Sequence, residues 1–224
     1  MNVAEVKRKI LALLKEHGEA TTAEIASCFD VTYEAARQQL KQLEAARLVE
    51  RQSRPNSSGV GRPVRYYTLS AAGDHLFPKA YDELAVALID SIGDELGDEG
   101  LRRVLAALGE RQMARWTARL EGKALRERLE ALREFYVEDD PYVDVKSDGD
   151  GWQLVEHNCP YLSTALQRPA LCSVTVSTLE RLLTRRVSRE KRFQDGDGCC
   201  VFQIHEDEVL GAEAQTFRFE EDAV

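Results

Sequence analysis

Four of the five cysteines fall in the last third of this 224-residue chain, in settings that thiol or metal chemistry would use. Cys159 stands in His157-Asn158-Cys159-Pro160-Tyr161, at the exit of a strand-like run and directly before a proline that stiffens the loop. Cys172 follows Pro169-Ala170-Leu171 at the expected start of a helix, where backbone N–H groups and the helix dipole favour thiolate over thiol. Cys199 and Cys200 open a strand in which Cys200, Phe202 and Ile204 share one face, so Cys200 is the inward member and Cys199 lies outside the same site. Three thiolates spaced C-x12-C-x27-C suit a soft metal: an iron–sulfur cluster, or zinc if a fourth donor closes the site. His157 is the candidate fourth donor, against the plainer reading of a hydrogen-bonding loop histidine. No tight C-x2-C pair is present, so spacing alone leaves open that the cysteines fill a small core.

The elements that must position these groups form an α+β chain in four parts. A winged helix-turn-helix DNA-binding domain is expected over 1–70, a helical dimerisation segment over 71–139, a small α+β cysteine-bearing sensor domain over 140–205, and a disordered acidic tail over 206–224. An odd number of cysteines, no run of eighteen apolar residues and no apolar leader after Met1 point to a cytoplasmic protein with reduced thiols and no membrane partner. The net charge of −9 divides unevenly, +3 over residues 1–70 and −12 over the remainder, so nucleic acid contact is expected at the front alone.

Val6, Ile10, Leu13 and Leu14 recur at helical spacing and predict a first helix over about 3–16, closed by Gly18. Thr21-Thr22-Ala23-Glu24 is a capping box for a short second helix carrying Ile25 and Ala26, with Cys28 expected as a small core residue. Thr32 then caps a third helix through about Ala46, with Ala36, Leu40 and Leu43 inside. In a helix-turn-helix the second helix of the pair enters the major groove, and the outward Thr32, Tyr33, Arg37, Gln38 and Lys41 begin that helix. Strands over 48–52 and 64–69 flank a Gly-, Ser- and Pro-rich loop, a wing whose Arg54, Arg62 and Arg65 can meet phosphates or a minor groove.

Apolar stripes beneath charged surface predict helices over 71–96 and 101–139, with breaks at Pro78, around Gly93 to Gly100 and near Gly122. A two-fold operator needs two copies of a winged helix, so a homodimer interface is the economical use of these stripes. Hairpin strands over 142–146 and 152–156, a helix over 170–186 and strands over 187–193 and 199–205 complete the reading.

The Gly61-Arg62-Pro63 turn, Tyr66-Tyr67-Thr68-Leu69-Ser70-Ala71-Ala72-Gly73, Leu76-Phe77-Pro78, Tyr81, and the His157-Asn158-Cys159-Pro160 and Cys172 elements resemble the SufR family of iron–sulfur-binding winged-helix regulators. The resemblance implies a homodimeric repressor of cluster-assembly genes, bound to a double-stranded operator while a cluster, [4Fe–4S] in expectation, is held by Cys159, Cys172 and Cys200. A [2Fe–2S] cluster or zinc are the other centres such donors would accept. Some members carry a further cysteine between the second and the last, but residues 173–198 of this chain have none, which leaves the fourth ligand unassigned. The competing reading is a zinc-stabilised or thiol-switch repressor without a cluster. No Gly-rich phosphate loop, H-E-x-x-H or nucleophile elbow is present, so no catalytic residue and no small-molecule substrate are assigned.

Overall fold

Ile10, Leu11 and Leu14 lie on one side of the first helix because one turn takes 3.6 residues, and all three are buried in α1 (Val3–His17). The computed structural model describes residues 3–55, 63–137, 140–149, 151–211 and 216–220. After α1 comes β1 (Glu19–Thr21), then α2 (Thr22–Cys28) with the expected capping box: the Glu24 N–H donates to Thr21 Oγ1 at 3.2 Å and the Thr21 N–H donates to Glu24 Oε2 at 2.7 Å. The Thr32 hydroxyl accepts from the Ala35 N–H at 3.2 Å and starts α3 (Tyr33–Ala45), which buries Ala36, Leu40 and Leu43. β2 (Val49–Arg54) and β3 (Val64–Leu69) form the antiparallel hairpin of the wing, in the register Val49↔Leu69 to Arg54↔Val64. β1 adds to β3, giving the order β1-β3-β2 over a core of Ile10, Leu14, Ile25, Leu40, Leu43, Val49 and Tyr67. Ser70 caps the single turn α4 (Ala71–Asp74) through the Gly73 N–H. Cys28 corrects its expectation and is exposed: it sits about 120° around the helix from the Thr22, Ile25 and Ala26 stripe.

The chain divides into two compact units, Met1–Lys79 and Ala80–Val224. The second begins with α5 (Tyr81–Leu120), which breaks at Gly97, where φ is 66° and ψ −177°. α6 (Leu125–Tyr136) follows, then β4 (Asp144–Asp148) and β5 (Gly151–Glu156), α7 (Leu162–Ala165), a 3-10 turn over Pro169–Cys172, α8 (Ser173–Leu183), β6 (Arg185–Lys191) and β7 (Cys200–Val209). The strands make an antiparallel sheet ordered β4-β5-β7-β6. One face of it, through Leu154, Val187, Cys200, Phe202 and Ile204, packs on Leu120 of α5, Leu129 and Leu132 of α6, and Leu179 and Leu183 of α8. Leu120, Leu129 and Leu132 of the helical segment expected over 71–139 therefore share one core with the cysteine-bearing strands, while Ala71 to Lys79 fall in the first unit. An amphipathic helix must cover its apolar stripe, and the bare face of the sheet supplies the cover.

The expectation of a disordered tail over 206–224 is corrected for its described residues. β7 runs on to Val209, and Phe217 is buried against Leu105, Ala170 and Val174, edge-on to Phe219 with ring centroids 5.7 Å apart. Glu220 forms an ion pair with Arg189 at 3.0 Å while its N–H donates to Ser173 Oγ at 2.9 Å. Two aromatic rings and one carboxylate matched to a buried cation outweigh the solvating effect of the acidic run. No helix among the described residues is long and apolar enough to cross a membrane.

Candidate functional site

Three of the four late cysteines line a single cavity. Cys159 comes from the loop between β5 and α7, Cys172 from the end of the 3-10 turn that leads into α8, and Cys200 from the first position of β7; together with Glu156, Arg189 and Gln194 they border one small cavity of about 20 Å³. Cys199 does not line it, and His157 does not either: its side chain is exposed, and its backbone N–H is held by the Asp140 carboxylate. Two donors address the sulfurs, Gln194 Nε2 to Cys172 Sγ at 3.0 Å and Arg189 Nη1 to Cys200 Sγ at 3.3 Å. Arg189 Nη2 also donates to the Cys172 carbonyl at 2.9 Å, and its guanidinium lies over the Phe202 ring, 4.7 Å from the centroid.

Burial decides the charge state of the thiols. Desolvation, reinforced by the Glu156 carboxylate, pushes the Cys159 thiol up to about 12. Burial also pushes Cys172 and Cys200 up, against the opposing pull of Arg189. The helix-start argument for a Cys172 thiolate is thus opposed by desolvation, which favours the protonated thiol at all three sulfurs. Burial works against the charge of Arg189 as well, but Glu220 more than compensates and holds the guanidinium above its ordinary range. A second hollow of about 60 Å³, bordered by Gln112, Arg115, Trp116 and Tyr136, shares Glu156, Cys159, Tyr161 and Thr175 with the first.

The front unit shows the opposite condition. Tyr33 is 57% exposed at the first turn of α3, and Arg37, Gln38 and Lys41 are exposed further along the helix. The Thr32 hydroxyl is engaged as the cap of α3. Arg37 is held by Glu34 through two hydrogen bonds of 2.8 and 2.6 Å, and Arg54 by Glu19 through two of 2.7 Å while it covers the Tyr66 ring. Arg65 is exposed beside a shallow groove lined by Thr21, Thr22, Tyr33 and Pro63. Arg62 lies outside the described residues.

Glu156, Arg189, Gln194 and Glu220 were not singled out from the sequence. None of them carried a local signal, because the pairings that bring them together, such as Glu156 with Cys200 across β5 and β7, join residues far apart in sequence.

Residues 4–52 match a family described as a helix-turn-helix domain, and residues 83–205 match one described as methanogen output domain 1. No curated protein matches the chain. Among solved structures, a double mutant of Lactococcus lactis ZitR in apo form is 23% identical over 49% of this chain and 83% of its own, with a TM-score of 0.27. Bacillus subtilis PadR in complex with operator DNA is 20% identical over 79% of this chain and 97% of its own, with a TM-score of 0.28. Scores this low establish no correspondence between residues.

Proposed function

The chain belongs to the methanogen output domain 1 family, and from that premise, with a helix-turn-helix at its front, we propose a dimeric, non-enzymatic, DNA-binding repressor of iron–sulfur cluster assembly genes, similar to the SufR regulators. Its sensor is an iron–sulfur cluster, [4Fe–4S] in expectation, held by Cys159, Cys172 and Cys200. The observation that carries the reading is the meeting of these three thiols, from a loop, a helix start and a strand, around one cavity.

Among the described residues no group of three His, Cys, Asp or Glu stands ready to hold a metal ion, so either centre, cluster or zinc, would have to draw the thiols together as it binds. The three cysteines that line one cavity would hold a cluster through their thiolates. Raised thiols weigh against a reactive thiol switch, which needs a low-pKa sulfur. Bound there, the cluster would supply a centre whose presence depends on iron and oxidants. The three cysteines would surrender their protons to it and tie β7, α8 and the loop after β5 into one body. Arg189 and Gln194, already donating to two of the sulfurs, would stabilise the thiolates.

At the front, Tyr33, Arg37, Gln38 and Lys41 would face base edges, with Thr32 at the helix start, while Arg54, Arg62 and Arg65 of the wing would meet phosphates. DNA would take Arg37 and Arg54 from Glu34 and Glu19, an exchange that costs little because exposed ion pairs are worth about 0 to 1 kcal/mol. A second copy would cover Tyr81, Leu84 and Leu88, which stand 64%, 58% and 55% exposed at a spacing of three and four residues on α5.

The test is anaerobic reconstitution with iron and sulfide, followed by elemental analysis and a gel shift on the protein's own upstream DNA. Brown protein with stoichiometric iron and sulfide that binds DNA more tightly than the apo form is the expected result. Colourless protein containing zinc would replace this reading with the zinc repressor, and equal DNA affinity with and without the cluster would remove the sensing role.

A further inference from the structure

Residues 216–220 are tied to the thiol site through one buried cation. Arg189 of β6 has a side chain only 4% exposed. Its Nη1 donates to Cys200 Sγ at 3.3 Å and its Nη2 to the Cys172 carbonyl at 2.9 Å, while Nε and Nη2 reach the two oxygens of Glu220 at 3.0 and 3.1 Å. The guanidinium also lies over the Phe202 ring. It is a rigid planar fork, so a turn that improves one of these contacts breaks another. Two further attachments hold the same segment. The Glu220 N–H donates at 2.9 Å to Ser173 Oγ, on the residue after Cys172, and Phe217 is buried against Leu105, Ala170 and Val174. Cys159 borders the same cavity, yet no hydrogen bond among the described residues joins it to Arg189 or to 216–220.

We propose that residues 216–220 form a latch that closes the Cys172 and Cys200 side of the thiol cavity and leaves as a unit when Arg189 lets go. The latch acts on the bare thiols and stands whichever centre they hold. A cavity of about 20 Å³ admits roughly one water and no larger reagent, so something must move before either sulfur can be reached. Arg189 itself borders that cavity, and its departure would widen it on the side of Cys172 and Cys200. No residue of 216–220 belongs to a helix or a strand, so the segment can leave while the sheet and α8 keep their backbone ladders. Opening would strip Leu105, Ala170 and Val174 of their Phe217 cover, which makes the closed state the resting one. The coupling runs both ways. Whatever draws the Cys200 sulfur away weakens the hold on Glu220, and whatever frees Glu220 lets Arg189 swing off the thiols.

The experiment uses the full chain, reduced and free of metal, and measures by mass spectrometry of its peptides how fast iodoacetamide alkylates each cysteine. In each event a C–S bond forms as the C–I bond breaks, iodide leaves and the thiol proton passes to solvent. Glu220→Gln removes the counter-charge and Phe217→Ala the apolar anchor. Each should speed alkylation of Cys172 and Cys200 about 10-fold or more, while Cys159 and the exposed Cys28 react at their native rates. Trypsin cleavage after Arg218, inside the segment, is the reciprocal readout: it should quicken in the native chain once Cys172 and Cys200 are alkylated. Native rates at Cys172 and Cys200 in the folded variants would overturn the latch. An equal rise at Cys159 would overturn it as well, because the rear unit would then have loosened as a whole. Cleavage after Arg218 that ignores alkylation would remove the coupling and the latch with it, and this arm decides alone if neither substitution folds.

Discussion

In the front unit the residues that would meet DNA stand in water, and the carboxylates holding two of them are equally wet: Arg37 and Glu34 side chains are 47% and 70% exposed, Arg54 and Glu19 49% and 36%. In the rear unit the corresponding pair is shut away, with Arg189 4% and Glu220 16% exposed, and burial favours the protonated form of the thiols beside it. The contrast separates two ways of storing binding capacity. Exposed pairs are weak and exchangeable, so a phosphate can take over an arginine at little cost. Buried pairs are committed: removing one partner strands the other in a poor solvent.

Four measurements would break or sharpen that contrast. Cys200→Ser should abolish iron and sulfide retention, whereas Cys28→Ser, in the exposed position on α2, should leave both unchanged; equal losses would dissolve the distinction between the units. Glu220→Ala should lower the stability of the rear unit by about 3 kcal/mol in urea denaturation, because Arg189 keeps its charge without a counterion. An unchanged midpoint would show that the pair is not committed at all. A shallower effect concerns pH. The Cys159 thiol, pushed up to about 12 in the fold, keeps its proton after the unfolded chain's thiol has ionised near its ordinary 9.0. The apo protein should therefore hold this contribution below pH 9 or so and lose it as pH rises towards 12, and the metal-loaded form should lack the effect; a flat apo profile between those values would contradict the burial of the thiol. Smallest is Glu34→Gln, which should change stability by less than about 1 kcal/mol and tighten DNA binding by freeing Arg37. Weaker binding would mean that Glu34 itself serves the interface.

The same contrast governs what the chain reveals before it folds. The capping box of Thr21 and Glu24, the Thr32 cap, the wing strands and the β4–β5 hairpin are made by neighbours along the sequence, and their residue types announce them. β1 escaped notice because it is three residues long and its last residue is also the α2 cap. Helical phase placed the Leu40 stripe inside, whereas the thiol of Cys28 was assigned by residue type and turned out on the wet side. In the rear unit the meeting of Cys159 with Cys200 could be suspected from strand alternation, but the register that sets Glu156 against Cys200 depends on residues 44 apart in sequence numbering. Arg189 and Glu220 lie 31 positions apart, and an acidic C-terminal run reads as solvated until a buried cation is known to await it. Long-range pairing of this kind has no local signature.

Gly97 gives α5 a mechanical property that neither half of the helix has alone. Its left-handed φ of 66° interrupts the ladder of carbonyls and amides, and an added methyl group would meet nothing within 4 Å, so only the backbone demands glycine there. Torque applied to the outward leucines of 81–96 is consequently not carried rigidly to the stretch whose Leu105 and Leu120 anchor it in the interior. Alanine at this joint would cost about 1 to 3 kcal/mol in the present bend, a backbone region essentially restricted to glycine, and favour a straight rod, so a single achiral residue sets the bearing of the leading arm.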